Sequence, residues 1–258
     1  MNIVIEGPEG SGKSTLVTEL GEQLPNSVVT RHPGSTALGK KLRQMIKYDE
    51  EIKLSPHTEQ IMFVLDLCDF IEKILIPNTR MGKTVISDRS NLVSGMVYGL
   101  AGGLSTDRIE MLHRLSLVLD PPKMHLVILE AGYDDLLARR GGRAESDDKF
   151  EKLGSDFHRK VCEYYSMLAN GGTYVDPSGI DVKRESFGYR EFVLPGPIKF
   201  IGPTGVVGSI HKVDATWGRC REFVMPGTNN GLSIHKVDAT LPQGEVLDRV
   251  LGIIKGLE

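Results

Sequence analysis

The chain has 258 residues, of which 31 are basic and 34 acidic, so its formal net charge is −3, and 40% of the residues are hydrophobic. This composition is typical of a soluble globular protein and excludes an intrinsically disordered chain. The small negative charge excludes an overall basic surface for nucleic acid, and no apolar run is long enough to span a membrane.

A glycine-rich segment follows the first predicted strand. Ile3–Ile5 is a short β-branched run, and Gly7–Ser14 (GPEGSGKS) fits the phosphate-binding pattern G-x-x-x-x-G-K-[S/T]. The alternative is a glycine-rich turn that matches the pattern by chance. However, Thr15–Leu20 has helical spacing, so the loop lies between a strand and a helix, as phosphate binding requires. We therefore expect a nucleoside triphosphate to be bound here, by Gly7, Glu9, Gly10, Ser11, Gly12, Lys13, Ser14 and Thr15.

Two helices are predicted after a second strand at Ser27–Thr30. Apolar residues recur at helical spacing over Leu38–Ile46, where Arg43 could turn towards the phosphate-binding loop. A longer helix opens at Pro56 and is expected to end before Pro77. Asp66 and Asp69 share one of its faces, which either meets solvent or faces a ligand.

The next strand, Lys83–Ser87, is followed by Asp88 and Arg89. In a parallel sheet the carboxyl end of this strand lies beside the phosphate-binding loop. Asp88 is therefore expected to hold Mg²⁺ together with Ser14, and Arg89 to face the transferred phosphoryl group.

Three helices and one strand complete this part of the chain. A helix over Ser105–Leu119, a strand at His125–Leu129 and a helix over Phe157–Ala169 are predicted from their periodicity. A further helix begins at Tyr133 and leads into residues 139–152, which combine arginines with glycines and are interpreted as a flap over phosphates. A solvated loop is the alternative for this segment. The arginines concerned are Arg139, Arg140 and Arg143.

Residues 1–170 and 233–258 resemble the thymidylate kinase family of nucleoside monophosphate kinases. Only the phosphate-binding loop is specific by itself, but six matches occur in the order typical of the family. They are Ile5–Thr15, Thr30–Gly34, Met62-Phe63, Asp88-Arg89, Phe157–Val161 and Ile234–Thr240. The resemblance implies an α/β fold, the three-layer α/β/α P-loop NTPase fold with a mostly parallel sheet.

The resemblance also implies a reaction, in which Mg²⁺ and ATP serve to phosphorylate the 5′-phosphate of a deoxynucleoside monophosphate. Lys13 and Ser14 would serve the ATP phosphates and the metal, and Glu9 would approach the acceptor sugar. Arg43 and Arg89 would clamp the acceptor phosphate. The expected catalytic residues are Lys13, Asp88, Arg89, Arg139 and Arg143. Phe63 would stack on the acceptor base, and the other expected acceptor-binding residues are Asp66, Asp69 and Tyr98. The further residues expected to bind ATP are Arg140, Asp238 and Ala239.

Two departures from the family pattern concern the acceptor. The family usually has an arginine four residues after the stacking phenylalanine, where this chain has Leu67. It also usually has Ala-Tyr-Gln after the Asp-Arg pair, where this chain has Ser90–Tyr98 without that sequence. The resemblance implies dTMP or a related pyrimidine deoxynucleotide as the acceptor. Because the lost arginine is a donor towards base carbonyls, a modified pyrimidine or another deoxynucleotide is the hypothesis that these departures suggest.

Residues 171–232 form an insertion with an internal duplication. The octapeptide Ser-Ile-His-Lys-Val-Asp-Ala-Thr occurs at Ser209–Thr216 and again at Ser233–Thr240, each preceded by Arg-Glu-Phe-Val-x-Pro-Gly. We assign the second copy to the last core strand because an amphipathic helix follows it. The first copy is expected in an outlying hairpin, and strands such as Ile198–Ile201 favour a β-rich insertion whose identical copies allow strand exchange.

Two other functions remain open from the residues alone. A phosphate-loop switch would bind nucleotide without an acceptor, although it has no need of paired arginines such as Arg43 and Arg89. A kinase acting on a base in DNA is disfavoured by the absent basic surface.

Cys68, Cys162 and Cys220 lack metal-ligand spacing, and a strand begins directly after Met1. We therefore expect a cytoplasmic protein without a membrane partner. A homodimer is expected in addition, and a nucleic-acid partner is not expected.

Overall fold

The computed structural model describes residues 1–117, 119, 121–140, 148–170 and 232–257, together with short strands at 174–175, 181–182, 198–202, 205–210 and 222–223. The strands of the main sheet are β1 (Asn2–Glu6), β2 (Ser27–Arg31), β3 (Thr84–Asp88), β4 (Met124–Glu130), β9 (Glu222–Phe223) and β10 (Leu232–Asp238). Five of them form a parallel sheet in the order β2-β3-β1-β4-β10, and the short β9 adds an antiparallel edge. The predicted α/β fold is confirmed.

Helices cover both faces of the sheet. They are α1 (Lys13–Gln23), α2 (Ala37–Lys47), α3 (Pro56–Phe70), α4 (Ile76–Arg80), α5 (Ser94–Ala101), α6 (Thr106–Leu117), α7 (Tyr133–Arg140), α8 (Ser155–Asn170) and α9 (Gln243–Lys255). No helix among the described residues is both long enough and apolar enough to cross a membrane.

The central strand β1 supplies both layers of the core. Its side chains alternate, so that Val4 packs with α3, α5 and α8 on one face, while Ile3 and Ile5 pack with α1 and α9 on the other. This alternation explains why a strand flanked by helices on both faces is an unbroken apolar run. Because β1 has parallel neighbours on both sides, its carboxyl end opens into the crevice where such sheets bind ligands.

The helix that starts at Pro56 ends at Phe70, before Pro77, but helical backbone continues beyond it. A π-helical turn, Ile71–Leu75, continues α3 into α4, and Pro77 lies in the first turn of α4. Proline is tolerated in a first helical turn because its missing N–H group has no required partner there.

The two copies of the repeated octapeptide lie in different sheets. In β10, Ser233–Asp238 of the second copy pairs in parallel with β4 along the main sheet. Ser209 and Ile210 of the first copy end β8 (Gly205–Ile210), which forms an antiparallel hairpin with β7 (Ile198–Gly202). Two further short strands, β5 (Tyr174–Val175) and β6 (Asp181–Val182), pair with each other. Residues 191–194, a second apolar β-like run in the insertion, lie outside the described residues.

Candidate active site

The loop between β1 and α1 is shaped by its glycines. Gly7 has φ +146°, and a Cβ atom there would lie 2.5 Å from the carbonyl oxygen of Leu129, so only glycine fits. Gly12 precedes α1 with φ 89°, and among the described residues no side chain caps this helix. The first N–H groups of α1 and its positive dipole end therefore remain available to an anion.

Lys13 folds back over this loop. Its Nζ atom donates to the carbonyl oxygen of Pro8 at 2.6 Å and to Ser11 Oγ at 3.4 Å. Burial lowers the pKa of Lys13 to about 8, although Glu9, Asp88 and Glu6 act in the opposite direction. Bound phosphate oxygens would raise the pKa of Lys13 again, because their negative charge stabilises the buried ammonium group.

The structure brings Ser14 and Asp88 together. Asp88 ends β3, where it stands in register with Ile5 of β1, and Ser14 lies in the first turn of α1. Ser14 Oγ donates to Asp88 Oδ2 at 2.7 Å. Two hard oxygen atoms thus lie side by side at the edge of the phosphate-binding loop, and Mg²⁺ prefers such ligands.

Arg89 connects this loop to the opposite side of the crevice. Its backbone has φ 70°, which is unusual for a residue with a side chain. Nη1 donates to the Gly7 carbonyl oxygen at 3.0 Å, and Nη2 donates to Glu9 Oε2 and to Tyr98 Oη, both at 3.2 Å. Burial alone would lower the pKa of Arg89, but Tyr98, Tyr165, Glu9 and Glu6 raise it well above its ordinary value.

Two residues that support Arg89 were missed by sequence reasoning. Tyr165 of α8 accepts from Arg89 Nη1 at 3.0 Å and donates to Glu6 Oε2 at 2.7 Å. Glu6 ends β1 fully buried, and burial raises its pKa although Arg89 lowers it. The signal for Glu6 was available, because a carboxylate at the end of an apolar strand needs a buried cationic partner. Tyr165 gave no such signal among the apolar residues of its helix.

We call residues 7–15 with Asp88 the donor side, and α2, α3 and residues 31–36, 89–99 and 148–153 the acceptor side. On the acceptor side the Phe63 ring is buried, with its centroid 6.2 Å from that of Phe150. Tyr98 meets Phe150 edge-on at 5.2 Å. Arg43 donates from Nη1 to the Pro33 carbonyl oxygen at 3.0 Å. The rings therefore form one cluster next to the Tyr98–Arg89 contact.

Phe150 is held in this cluster by its neighbours in the chain. The Lys149 N–H group donates to the Lys47 carbonyl oxygen at 2.9 Å. Lys47 forms an ion pair with Asp148, and Lys149 forms one with Glu59. These contacts join residues 148–150 to α2 and α3. Sequence reasoning had interpreted residues 148–150 only as the end of a flap.

Asp66 is a buried hub with an exposure of 1%. Its Oδ2 atom lies 3.1 Å from His32 Nδ1 and accepts from Asn91 Nδ2 at 2.7 Å, and its Oδ1 atom accepts from the Gly34 N–H group at 3.2 Å.

Burial raises the pKa of Asp69, but hydrogen bonds from Lys73 and Thr36 outweigh the effect of burial and lower the pKa overall. Direct substrate contact by Asp66 and Asp69 stays a prediction.

The residues expected around ATP lie at the ends of α7 and β10. Arg139 Nη1 donates to the Ala239 carbonyl oxygen at 2.6 Å, so the structure brings these two residues together. Asp238 Oδ1 accepts from the backbone and the hydroxyl group of Thr240 at 2.8 and 2.6 Å, and these bonds lower the pKa of Asp238. The side chain of Arg140, and Arg143 as a whole, lie outside the described residues.

The fold and this site define a P-loop phosphotransferase of the nucleoside monophosphate kinase type, since an uncapped phosphate-binding helix faces a second, preorganised cation across the crevice. A family model described as "Thymidylate kinase" matches residues 5–176. The chain therefore belongs to the thymidylate kinase family.

Individual relatives agree with the family model. The thymidylate kinase of Chlamydia trachomatis serovar L2 is 35% identical over 177 residues, which are 66% of this chain and 85% of the relative. That of Chlamydia pneumoniae is 34% identical over 182 residues, 69% and 86% of the two chains. That of Alkalilimnicola ehrlichii is 33% identical over 171 residues, 65% and 78% of the two chains.

Proposed function

We propose that this protein transfers the γ-phosphoryl group of ATP to the 5′-phosphate of a deoxynucleoside monophosphate, either dTMP or a related pyrimidine deoxynucleotide. The position of Arg89 carries this proposal. One edge of its guanidinium group contacts Gly7 of the donor side, and the other contacts Tyr98 of the acceptor side. A cation held between the two sides is positioned to neutralise charge on a phosphoryl group that passes between them.

The donor side suits ATP. The uncapped N-terminus of α1 offers N–H groups to the phosphates, and the buried Lys13 supplies a positive charge. Ser14 and Asp88 are the residues that would hold Mg²⁺, because their oxygen atoms already lie together. When bound, the metal neutralises phosphate charge. Arg139 and the turn at Asp238 and Ala239 would border the adenine and the outer phosphates.

The acceptor side suits a nucleoside monophosphate. The acceptor phosphate is already an anionic oxygen nucleophile, so no residue has to act as general base. What the chain must supply is alignment and charge. Arg43 and Arg89 would clamp the acceptor phosphate, Glu9 would meet the sugar, and Phe63 would stack on the base. Arg89 is prepared for this role because Tyr165 and Glu9 hold its guanidinium group in place.

The test is an ADP-release assay with Mg-ATP and a panel of acceptors, namely dTMP, dUMP, 5-hydroxymethyl-dUMP, dCMP and dGMP. We expect rapid turnover with at least one pyrimidine deoxynucleotide. We also expect Arg89→Met to lower kcat by about 10²–10³-fold. Arg159→Met is the matched control, since Arg159 is an exposed arginine paired with Asp134. ATP binding without turnover on any acceptor would refute the proposal and indicate a nucleotide-binding switch.

We also propose that the protein is a homodimer, paired through α3 and α6. These two helices pack against each other. Ile61 and Leu65 of α3 are 54% and 46% exposed, and Met111 and Leu115 of α6 are 65% and 60% exposed. Light scattering should give twice the chain mass, and Leu65→Lys should give monomers. Met81→Lys, at a site 59% exposed outside these helices, is the control.

A further inference from the structure

Four buried polar atoms around one face of α3 have no hydrogen-bond partner among the residues that the structure describes. They belong to His32, Gln60, Asp69 and Asn91. Gln60, Phe63 and Asp66 lie at intervals of three on α3, so their side chains share one face of the helix. An unpaired buried polar atom is costly and calls for an explanation, such as a missing ligand.

Gln60 has a fixed orientation with a free acceptor. Its Nε2 atom donates to the Gly95 carbonyl oxygen of α5 at 2.8 Å, which determines which end of the carboxamide is the nitrogen. Its Oε1 atom is left without a partner within the described part of the chain. A Cβ atom at Gly99 would lie 2.8 Å from Nε2, so the carboxamide enters this space only because residue 99 is glycine.

Asn91 presents a second free acceptor at the same helix. Its Nδ2 atom donates to the Phe63 carbonyl oxygen at 3.1 Å and to Asp66 Oδ2 at 2.7 Å. Both partners are acceptors, so the nitrogen position is again determined. The Oδ1 atom of Asn91, which is 1% exposed, has no partner among the described residues.

We propose that Gln60 and Asn91 are specificity-determining residues whose amide oxygens accept hydrogen bonds from the acceptor base. Both flank Phe63, the proposed stacking residue, and Leu67 offers no donor where the family usually has an arginine. A pocket with acceptors and no arginine favours a pyrimidine that presents an exocyclic donor, either a 5-hydroxymethyl group or a 4-amino group. This inference rests on the proposed function.

Two pairs of acceptors test the exocyclic donor. 5-Hydroxymethyl-dUMP differs from dTMP by one hydroxyl group on the C5 substituent, and dCMP differs from dUMP by an amino group in place of the C4 carbonyl oxygen and by the loss of the N3–H group. We expect kcat/KM for the donor-bearing member of at least one pair to exceed that of its partner by tenfold or more. If both pairs show equal values, or favour the member without the donor, the inference is wrong.

Gln60→Met tests the residue itself, because methionine keeps the length of the side chain and removes the acceptor. We expect kcat/KM for the preferred acceptor to fall at least tenfold through KM, with little change for its partner. Gln23→Met, at an exposed glutamine near the end of α1 and outside both sides, is the matched control. An equal loss for every acceptor would assign Gln60 a structural role only. If Gln60→Met does not fold, the two pairs on the natural protein still decide.

The two proposals fail in different ways. If no acceptor is phosphorylated while ATP still binds, the proposed function is wrong and this inference is wrong with it. If the protein phosphorylates dTMP at least as well as 5-hydroxymethyl-dUMP, and dUMP at least as well as dCMP, the kinase activity stands and only the assignment of Gln60 and Asn91 is overturned.

Discussion

The donor side and the acceptor side are both proposed to bind a nucleotide, but their residues are distributed differently along the chain. The donor side is almost continuous in sequence, since residues 7–15 supply the loop, the lysine and the first helical turn. The acceptor side collects His32, Arg43, Phe63, Asn91 and Phe150 from five separate stretches of chain. A local motif can therefore specify the first side, whereas only the packing of helices assembles the second.

Helix caps show the same difference. The N-terminus of α1, which directly follows the glycines of the phosphate-binding loop, has no side-chain cap within the described residues. On the acceptor side Thr36 caps α2 by accepting from the Gly39 N–H group at 2.9 Å, and Ser55 caps α3 by accepting from the Thr58 N–H group at 3.2 Å. The first N–H groups of α1 therefore stay available to a ligand, whereas one N–H group in the first turn of α2 and of α3 is already paired with a side chain.

Replacing Lys13 by methionine should produce the largest effect. The variant loses the buried cation that faces the phosphates, and we expect kcat in the ADP-release assay to fall about 10³-fold with little change in acceptor KM. Lys41→Met, at an exposed lysine of α2, should stay near the natural rate. Activity of Lys13→Met within tenfold of the natural protein would contradict the assigned role of the donor side.

Replacing Asp66 by alanine should destabilise the acceptor side. His32, the Gly34 N–H group and the Asn91 amide would each lose their buried acceptor, so the free energy of unfolding should fall by about 3 kcal/mol. Urea unfolding measures this, with Asp248→Ala on the exposed face of α9 as control. ATP affinity of the folded variant should be unchanged, and a matching loss of ATP affinity would show that the two sides are not independent.

Raising the pH should weaken the donor side alone. The pKa of Lys13 is about 8, so its charge is present below pH 8 and is lost as the pH rises through that value. Bound phosphate favours the charged lysine, and ATP affinity should therefore decrease above pH 8 by up to tenfold per pH unit. Calorimetric titration with Lys13→Arg should lack this decrease, because arginine keeps its charge. The same decrease in both proteins would exclude Lys13 as its cause.

The same pKa has an opposite consequence for stability. Because the folded value of about 8 lies below the ordinary lysine value of 10.5, the unfolded chain binds more protons between these two pH values. The contribution of Lys13 therefore destabilises the folded protein below pH 8, and this penalty is relieved as the pH rises towards 10.5.

Removing the cap of α2 should produce the smallest effect. Thr36→Ala leaves the Gly39 N–H group without its side-chain acceptor, and we expect the free energy of unfolding to fall by about 1 kcal/mol. Thr36→Ser keeps the hydroxyl group and should recover most of this loss. Thermal unfolding in the presence and absence of ATP measures both variants, and an unchanged melting temperature in Thr36→Ala would contradict the role of the cap.

The fold was largely predictable because its signals are local. Apolar runs such as Ile3–Ile5 and helical spacing such as that of Leu38–Ile46 reflect burial against neighbouring layers, which any α/β sheet requires. The continuation of helical backbone beyond α3 was not predictable in this way. A π-helical turn leads into a new helix that holds Pro77 in its first turn, where proline is tolerated.

By itself the sequence determined the phosphate-binding loop of the donor side, since Gly7, Gly12, Lys13 and Ser14 lie within eight consecutive residues. Only the tertiary structure decided the partners of Asp66, the support of Arg89 by Glu6 and Tyr165, and the contact of Gln60 with Gly95 and Gly99. A buried polar side chain needs a partner, but a sequence does not show which distant residue supplies it. That choice is made when α3, α5 and α8 pack against the sheet and exclude water between them.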